Sequence, residues 1–179
     1  MNIVILAGSP RKGGNTDRLC DAFARGAQAA GHRIEKLYVA GLHIGGCRGC
    51  GYCRTHGEQC VQADDMRRVE EAMMRADMVV FASPIYSFGL SAQLKLVMDR
   101  MFAHDRESWP IRRAAVLLAY ADDEPDVADG ALFSLRRFIG YYGWQLDEPV
   151  VARAVNAPGD VLRHPEFLEQ AEALGRRVC

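Results

Sequence analysis

Asn2-Ile3-Val4-Ile5-Leu6-Ala7 runs directly into Gly8-Ser9-Pro10-Arg11-Lys12-Gly13-Gly14-Asn15-Thr16, and Asp17-Arg18-Leu19 follows. The unbroken apolar run at 3–7 suits a strand buried on both faces of a parallel sheet. From Asn15 to Ala30 the spacing turns helical, with Leu19, Phe23 and Ala27 on one stripe and Gly31 in the stop position. A strand, a glycine-rich turn and a helix start in succession are expected to form an anion site, the alternative being a turn capped by Asn15 with no ligand. The helix start offers unpaired N–H groups and a partial positive charge, worth about 0.3–1 kcal/mol to an exposed anion. Gly13 and Gly14 let the backbone approach a ligand, Ser9 and Thr16 supply hydroxyls, Asn15 can cap the helix or donate its amide, and Arg11 or Lys12 supplies charge.

Outward from this turn, strand-like and helix-like segments alternate. Strands are expected at 33–39, 78–82, 114–120 and 150–154, and helices at 64–76, 91–102, 128–142 and 165–178. Five strands alternating with five helices imply right-handed βαβ units, an open parallel sheet of order 2-1-3-4-5 covered on both faces, and a ligand beyond the strands' carboxyl ends. The 179 residues fit one domain, 1–179, with one irregular stretch at about 41–63 that is too long for an ordinary connection.

The charge balance removes several function classes. Lys plus Arg number 22 and Asp plus Glu 23, for a net charge of −1, spread along the chain. Neither a nucleic-acid face nor a polybasic membrane anchor is indicated. Runs such as 3–7 and 114–119 fall far short of the ~20 apolar residues of a membrane span. No leader-like segment precedes the first strand, so a cytoplasmic location and reduced thiols are expected.

The nucleotide-triphosphate pattern G-x-x-x-x-G-K-[ST] is absent, since Lys12 precedes the glycines, and G-x-G-x-x-G is absent too. The stretch G-S-P-R-x-x-G-N-T-x-x-L, Gly8 to Leu19, resembles the NAD(P)H-dependent FMN reductase family of the flavodoxin-like superfamily. The resemblance implies a flavodoxin-like three-layer α/β sandwich, FMN as cofactor, and Ser9, Arg11, Asn15 and Thr16 around the FMN phosphate. It implies two-electron hydride transfer from NADH or NADPH to a small-molecule acceptor such as a flavin, quinone or nitro compound. A homodimer or homotetramer is expected on the same ground.

After the third strand comes Ser83-Pro84-Ile85-Tyr86-Ser87-Phe88-Gly89, then a helix with Lys95 and Asp99-Arg100. A flavin ring needs a flat apolar wall and backbone N–H donors. Pro84 fixes the turn, Gly89 permits close approach, and Tyr86 or Phe88 is placed to stack; the alternative makes both aromatics corner packing. The S-P-I-Y…K…M-D-R pattern resembles the same family and favours the flavin wall, with Ile85 and Ser87 part of it. Tyr120, after the fourth strand, is a weaker third contact because its loop lacks glycine.

Cys47-x2-Cys50-x2-Cys53-x6-Cys60 lies in the irregular stretch. Three thiolates at three-residue steps with a fourth beyond are similar to the run that holds a [4Fe–4S] cube in bacterial ferredoxins, although Val61, not Pro, follows Cys60. Glycines at 45, 46, 49, 51 and 57 let the chain curl, and Arg48 and Arg54 would offset the cluster's negative charge. Zinc, in a non-enzymatic module serving a protein interface, and an unmetallated redox-sensing set are the alternatives. The same kind of run marks the iron–sulfur flavoprotein branch of the family, which implies a ferredoxin-like protein as an alternative electron partner. The resemblance extends to Asp64-Asp65-Met66 and to Val155-Asn156-x-x-Gly159-Asp160, a segment read as carrying no chemistry.

Overall fold

The computed structural model describes residues 1–178. Its parallel sheet takes β1 (Asn2–Ala7), β2 (Arg33–Tyr38), β3 (Met78–Tyr86) and β5 (Arg113–Ala119) in the order β2-β1-β3-β5, and β6 (Gln145–Leu146) and β7 (Val150–Ala152) both lie beyond β5. Those two short strands are one outer strand in two pieces: Arg113 pairs with Gln145 and Leu117 with Val150, both parallel. Pro149, which has no N–H to donate, sits in the gap. The expected order 2-1-3-4-5 therefore holds, with the fifth strand interrupted.

Alternation along the central strands divides the core in two. Ile3, Ile5, Val80 and Leu117 face α1 (Asn15–Ala29) and α6 (Pro165–Arg177). Val4, Leu6, Phe81 and Val116 face α3 (Met66–Met73), α4 (Ala92–Arg100) and α5 (Asp129–Tyr141). This is the three-layer flavodoxin-like sandwich. Helix α1 ends at a left-handed Gly31, with the His32 N–H bonded to Ala27 O and the Gly31 N–H to Gln28 O, so the orphan carbonyls are satisfied. Helices α1 and α6 touch backbone to backbone: a Cβ on Gly26 would lie 2.0 Å from Glu172 O, and one on Gly175 would lie 2.2 Å from Phe23 O.

The segment after residue 82 departs from expectation. β3 continues to Tyr86, turns through Ser87 and Phe88, and pairs antiparallel with β4 (Gly89–Leu90). Both turn residues have positive φ, 48° and 63°, the pattern of a type I′ hairpin normally made by Asn and Gly. The 41–63 insert carries one short helix, α2 (Tyr52–Thr55). Among the described residues no helix is long and apolar enough to cross a membrane.

Candidate functional site

The turn leaving β1 is pinned to its neighbours before any ligand is considered. The Gly8 N–H donates to Ala82 O at 2.8 Å, and Gly8 O accepts from Ser91 Oγ at 2.8 Å. A Cβ at Gly8 would stand 2.8 Å from Leu94 Cβ, so only glycine lets α4 come this close. Gly13 is left-handed, φ 71°, and Gly14 caps α1 with no side-chain cap bond. The N–H groups of Asn15, Thr16 and Asp17 in the first turn thus have no acceptor within the helix. They are the donors an anion would use.

Asp17 would oppose an anion there unless its charge were compensated. It is buried, accepts the Gly13 N–H at 2.6 Å and the Tyr38 hydroxyl at 2.8 Å, and forms an ion pair with Lys36, which also reaches Asp21 at 2.7 Å. Burial pushes the Asp17 carboxyl up, but Lys36, the Gly13 N–H and Tyr38 together outweigh it and hold the group below the usual carboxylate value. Its stabilising contribution is therefore complete above the unfolded pKa of about 3.9 and is lost as pH falls through the lower folded value. The melting temperature of the wild type should fall more steeply between about pH 5 and pH 3 than that of Asp17→Asn. Parallel profiles would refute this role.

Asn15 does not cap the helix. Its Nδ2 donates to Ala157 O at 3.0 Å, and its Oδ1 accepts the N–H groups of Gly159 and Val161, both at 3.1 Å. Arg11 donates to Asn156 O at 3.1 Å, and Ser9 Oγ accepts the Arg11 N–H at 3.2 Å. Two residues of the turn after β1 thereby fasten the 155–161 loop.

These groups line one cavity of about 190 Å³ at the carboxyl ends of β1, β3, β5 and β7. Ser9, Arg11, Gly14, Asn15 and Thr16 form one side, Pro84, Ile85 and Tyr86 another, and Tyr120 and Asn156 close it. Tyr120 is held by a bond from its hydroxyl to Glu124 O at 3.1 Å. Ser87, Phe88 and Gly89 are not in the lining: Phe88 is 71% exposed at the hairpin tip, and a Cβ on Gly89 would meet nothing nearer than Tyr86 O at 3.8 Å. Of the two aromatics offered for stacking, Tyr86 is the one at the cavity.

Cys47, Cys50, Cys53 and Cys60 line a second cavity of about 270 Å³, with Arg48, Arg54, Arg100 and Phe102 in its wall. Among the described residues, no three His, Cys, Asp or Glu side chains converge as one metal ion requires. Arg54, expected to offset cluster charge, pairs with Asp105 at 2.5 Å and stacks on Phe102 at 4.0 Å. Cys20 lies apart from this cavity, buried on α1, where burial pushes its thiol up to about 12 and keeps it protonated. His104, which has no ligand-like spacing in the sequence, bonds Glu58 at 3.1 Å and lies 3.5 Å from Glu70. Both bonds join segments more than thirty residues apart, which no local pattern reveals.

Residues 1–151 match the family described as NADPH-dependent FMN reductase. An iron-sulfur flavoprotein of Archaeoglobus fulgidus is 38% identical over all of this chain and 79% of its own length. An iron-sulfur flavoprotein of Methanosarcina thermophila is 32% identical over 63% of this chain, and that match spans 58% of its length. Among solved structures, the NAD(P)H:quinone oxidoreductase from Methanothermobacter marburgensis shares the fold, with a TM-score of 0.76 over 98% of this chain and 96% of that one at 22% identity. The family model and the Archaeoglobus relative agree, and the chain belongs to the NADPH-dependent FMN reductase family, as an FMN-dependent oxidoreductase.

Proposed function

We propose that the chain takes hydride from NADH or NADPH and delivers electrons to a small-molecule acceptor, with FMN held in the 190 Å³ cavity. The observation that carries this is the convergence of the uncapped α1 start, Ser9, Arg11 and Thr16 with the Pro84–Ile85–Tyr86 wall in one cleft. The N–H groups and hydroxyls of the turn would hold the phosphate; Pro84, Ile85, Tyr86 and Tyr120 would flank the ring. Bound FMN supplies the two-electron chemistry, and the protein supplies orientation and electrostatics. Ser87, Phe88 and Gly89 would act only at the outer edge of this site. In a stopped-flow experiment, NADPH should bleach the bound flavin; a flavin that stays oxidised for minutes overturns the reading.

A second reading concerns the cysteines. Four thiols around one cavity of about 270 Å³, without the tight convergence a lone zinc ion needs, suit a polynuclear [4Fe–4S] cluster with single-electron exchange to a ferredoxin-like partner. Protein purified without oxygen should carry iron and sulfide, and fewer than about three irons per chain would argue against it. A cytoplasmic location and a homodimer or homotetramer complete the proposal, the latter measured by light scattering.

A further inference from the structure

Among the described residues, the buried side-chain polar atoms without a hydrogen-bond partner are Glu70 Oε1, Arg100 Nε, His104 Nε2 and Trp109 Nε1. They gather in one region. Glu70, Arg100 and His104 line a cavity of about 410 Å³ together with Cys60, and Trp109 packs edge-on against His104 with ring centroids 4.8 Å apart. Glu70 Oε1 and His104 Nε2 lie 3.5 Å from each other, which leaves the Arg100 Nε–H and the Trp109 indole N–H as donors without a partner, and of these two residues Arg100 lines the cavity.

Arg100 is 2% exposed. One terminal nitrogen donates to Gly45 O at 2.9 Å and Asp64 Oδ2 at 2.7 Å, and the other donates to Asp64 Oδ1 at 3.2 Å. Asp64 also accepts the Gly45 N–H at 3.0 Å. The guanidinium therefore joins a residue just before Cys47 to one just after Cys60. Fastening the loop does not by itself require a buried charge, since Gln62 already does so through Gly46 O at 3.0 Å. Arg100 differs from Gln62 in bringing a positive charge and an unpartnered Nε–H into the wall shared by the four-cysteine cavity and the adjoining Cys60 cavity. Burying a guanidinium is costly, and nearby charge and hydrogen-bond donors are among the factors that set a cluster's potential.

We infer that Arg100 is a positioning residue that raises the reduction potential of the cluster held by Cys47, Cys50, Cys53 and Cys60, its buried charge and spare Nε–H favouring the more negative, reduced state. Asp64, paired with the guanidinium, offsets part of that charge. The inference rests on the cluster reading of the cysteines.

The test is a redox titration of the anaerobically prepared holoprotein followed by electron paramagnetic resonance, with iron and FMN content measured on each sample. Arg100→Gln should make the cluster at least tenfold harder to reduce, about 59 mV for one electron. Arg100→Lys, which keeps the charge, should recover part of that shift. Asp64→Asn, which frees the cation of its counter-charge, should shift the potential in the opposite direction. A clamp with no electrostatic role loses the same Arg–Asp link in either variant and cannot produce opposite signs. Should Arg100→Gln fail to fold, Asp64→Asn decides alone, and an unchanged or lowered potential overturns the inference. Wild-type protein without iron overturns the cluster reading and this inference together; iron retained with potentials unmoved in the variants overturns this inference only.

Discussion

Gly175→Val is expected to lower the melting temperature by roughly 6–12 °C, about 3 kcal/mol of stability at the usual slope for a chain of this length. The first added carbon alone would sit 2.2 Å from Phe23 O and 2.8 Å from Ala27 N, both backbone atoms of α1. No side-chain rotation relieves such a contact, so α6 must move off α1. Ala171 and Leu174 on α6 and Leu19, Phe23 and Ala27 on α1 share one buried cluster, and separating the helices loosens all of it. Gly140→Ala is the matched control. It lies inside α5 with nothing within 4 Å of its added carbon, and should be neutral or stabilising by up to about 1 kcal/mol. Thermal denaturation of the two variants beside the wild type checks both; similar melting temperatures would show that the α1–α6 contact is not tight.

Asn15→Asp is expected to weaken FMN binding at least tenfold while lowering the melting temperature of the FMN-free protein less than Asn15→Ala does. The substituted carboxylate still accepts the Gly159 and Val161 N–H groups, so the loop closure is largely kept. It loses the bond donated to Ala157 O and places a negative charge on the residue that opens α1, beside the proposed phosphate position. Like charges about 4 Å apart repel by about 1 kcal/mol at the dielectric of water and about 4 kcal/mol near a protein surface. Asn15→Ala should differ in kind, lowering stability and affinity together because two N–H groups lose their acceptor. Fluorescence titration with FMN and a melt of the FMN-free protein separate the two outcomes. Unaltered affinity in Asn15→Asp would remove the phosphate from this end of the helix.

The parts legible in the sequence are those whose causes lie close together along the chain. The apolar run of β1, the glycines after it and the helical stripe of α1 are adjacent, so periodicity and turn chemistry suffice to read them. The hairpin at Ser87–Phe88 was missed because neither residue belongs to the types that favour positive φ. Its conformation coincides with a tertiary contact instead: Phe88 O packs against α5, where a Cβ on Gly130 would come within 2.8 Å. Asn15 reads locally as a cap, yet its bonds reach partners more than 140 positions away. Arg100 shows the same limit, since its partners Gly45 and Asp64 come from within and just after the insert and only folding brings them to α4.

The interruption of the outermost strand bears on how copies of this chain could associate. On that margin β6 and β7 each have no more than three residues, and Pro149 stands between them, so another chain finds no continuous ladder to extend. The opposite margin, β2, is a full strand but carries Arg33, Glu35 and Lys36 along it. One border is defended by discontinuity and the other by charge. Growth by strand addition is disfavoured at both margins, which points any association of copies toward helical faces and loops.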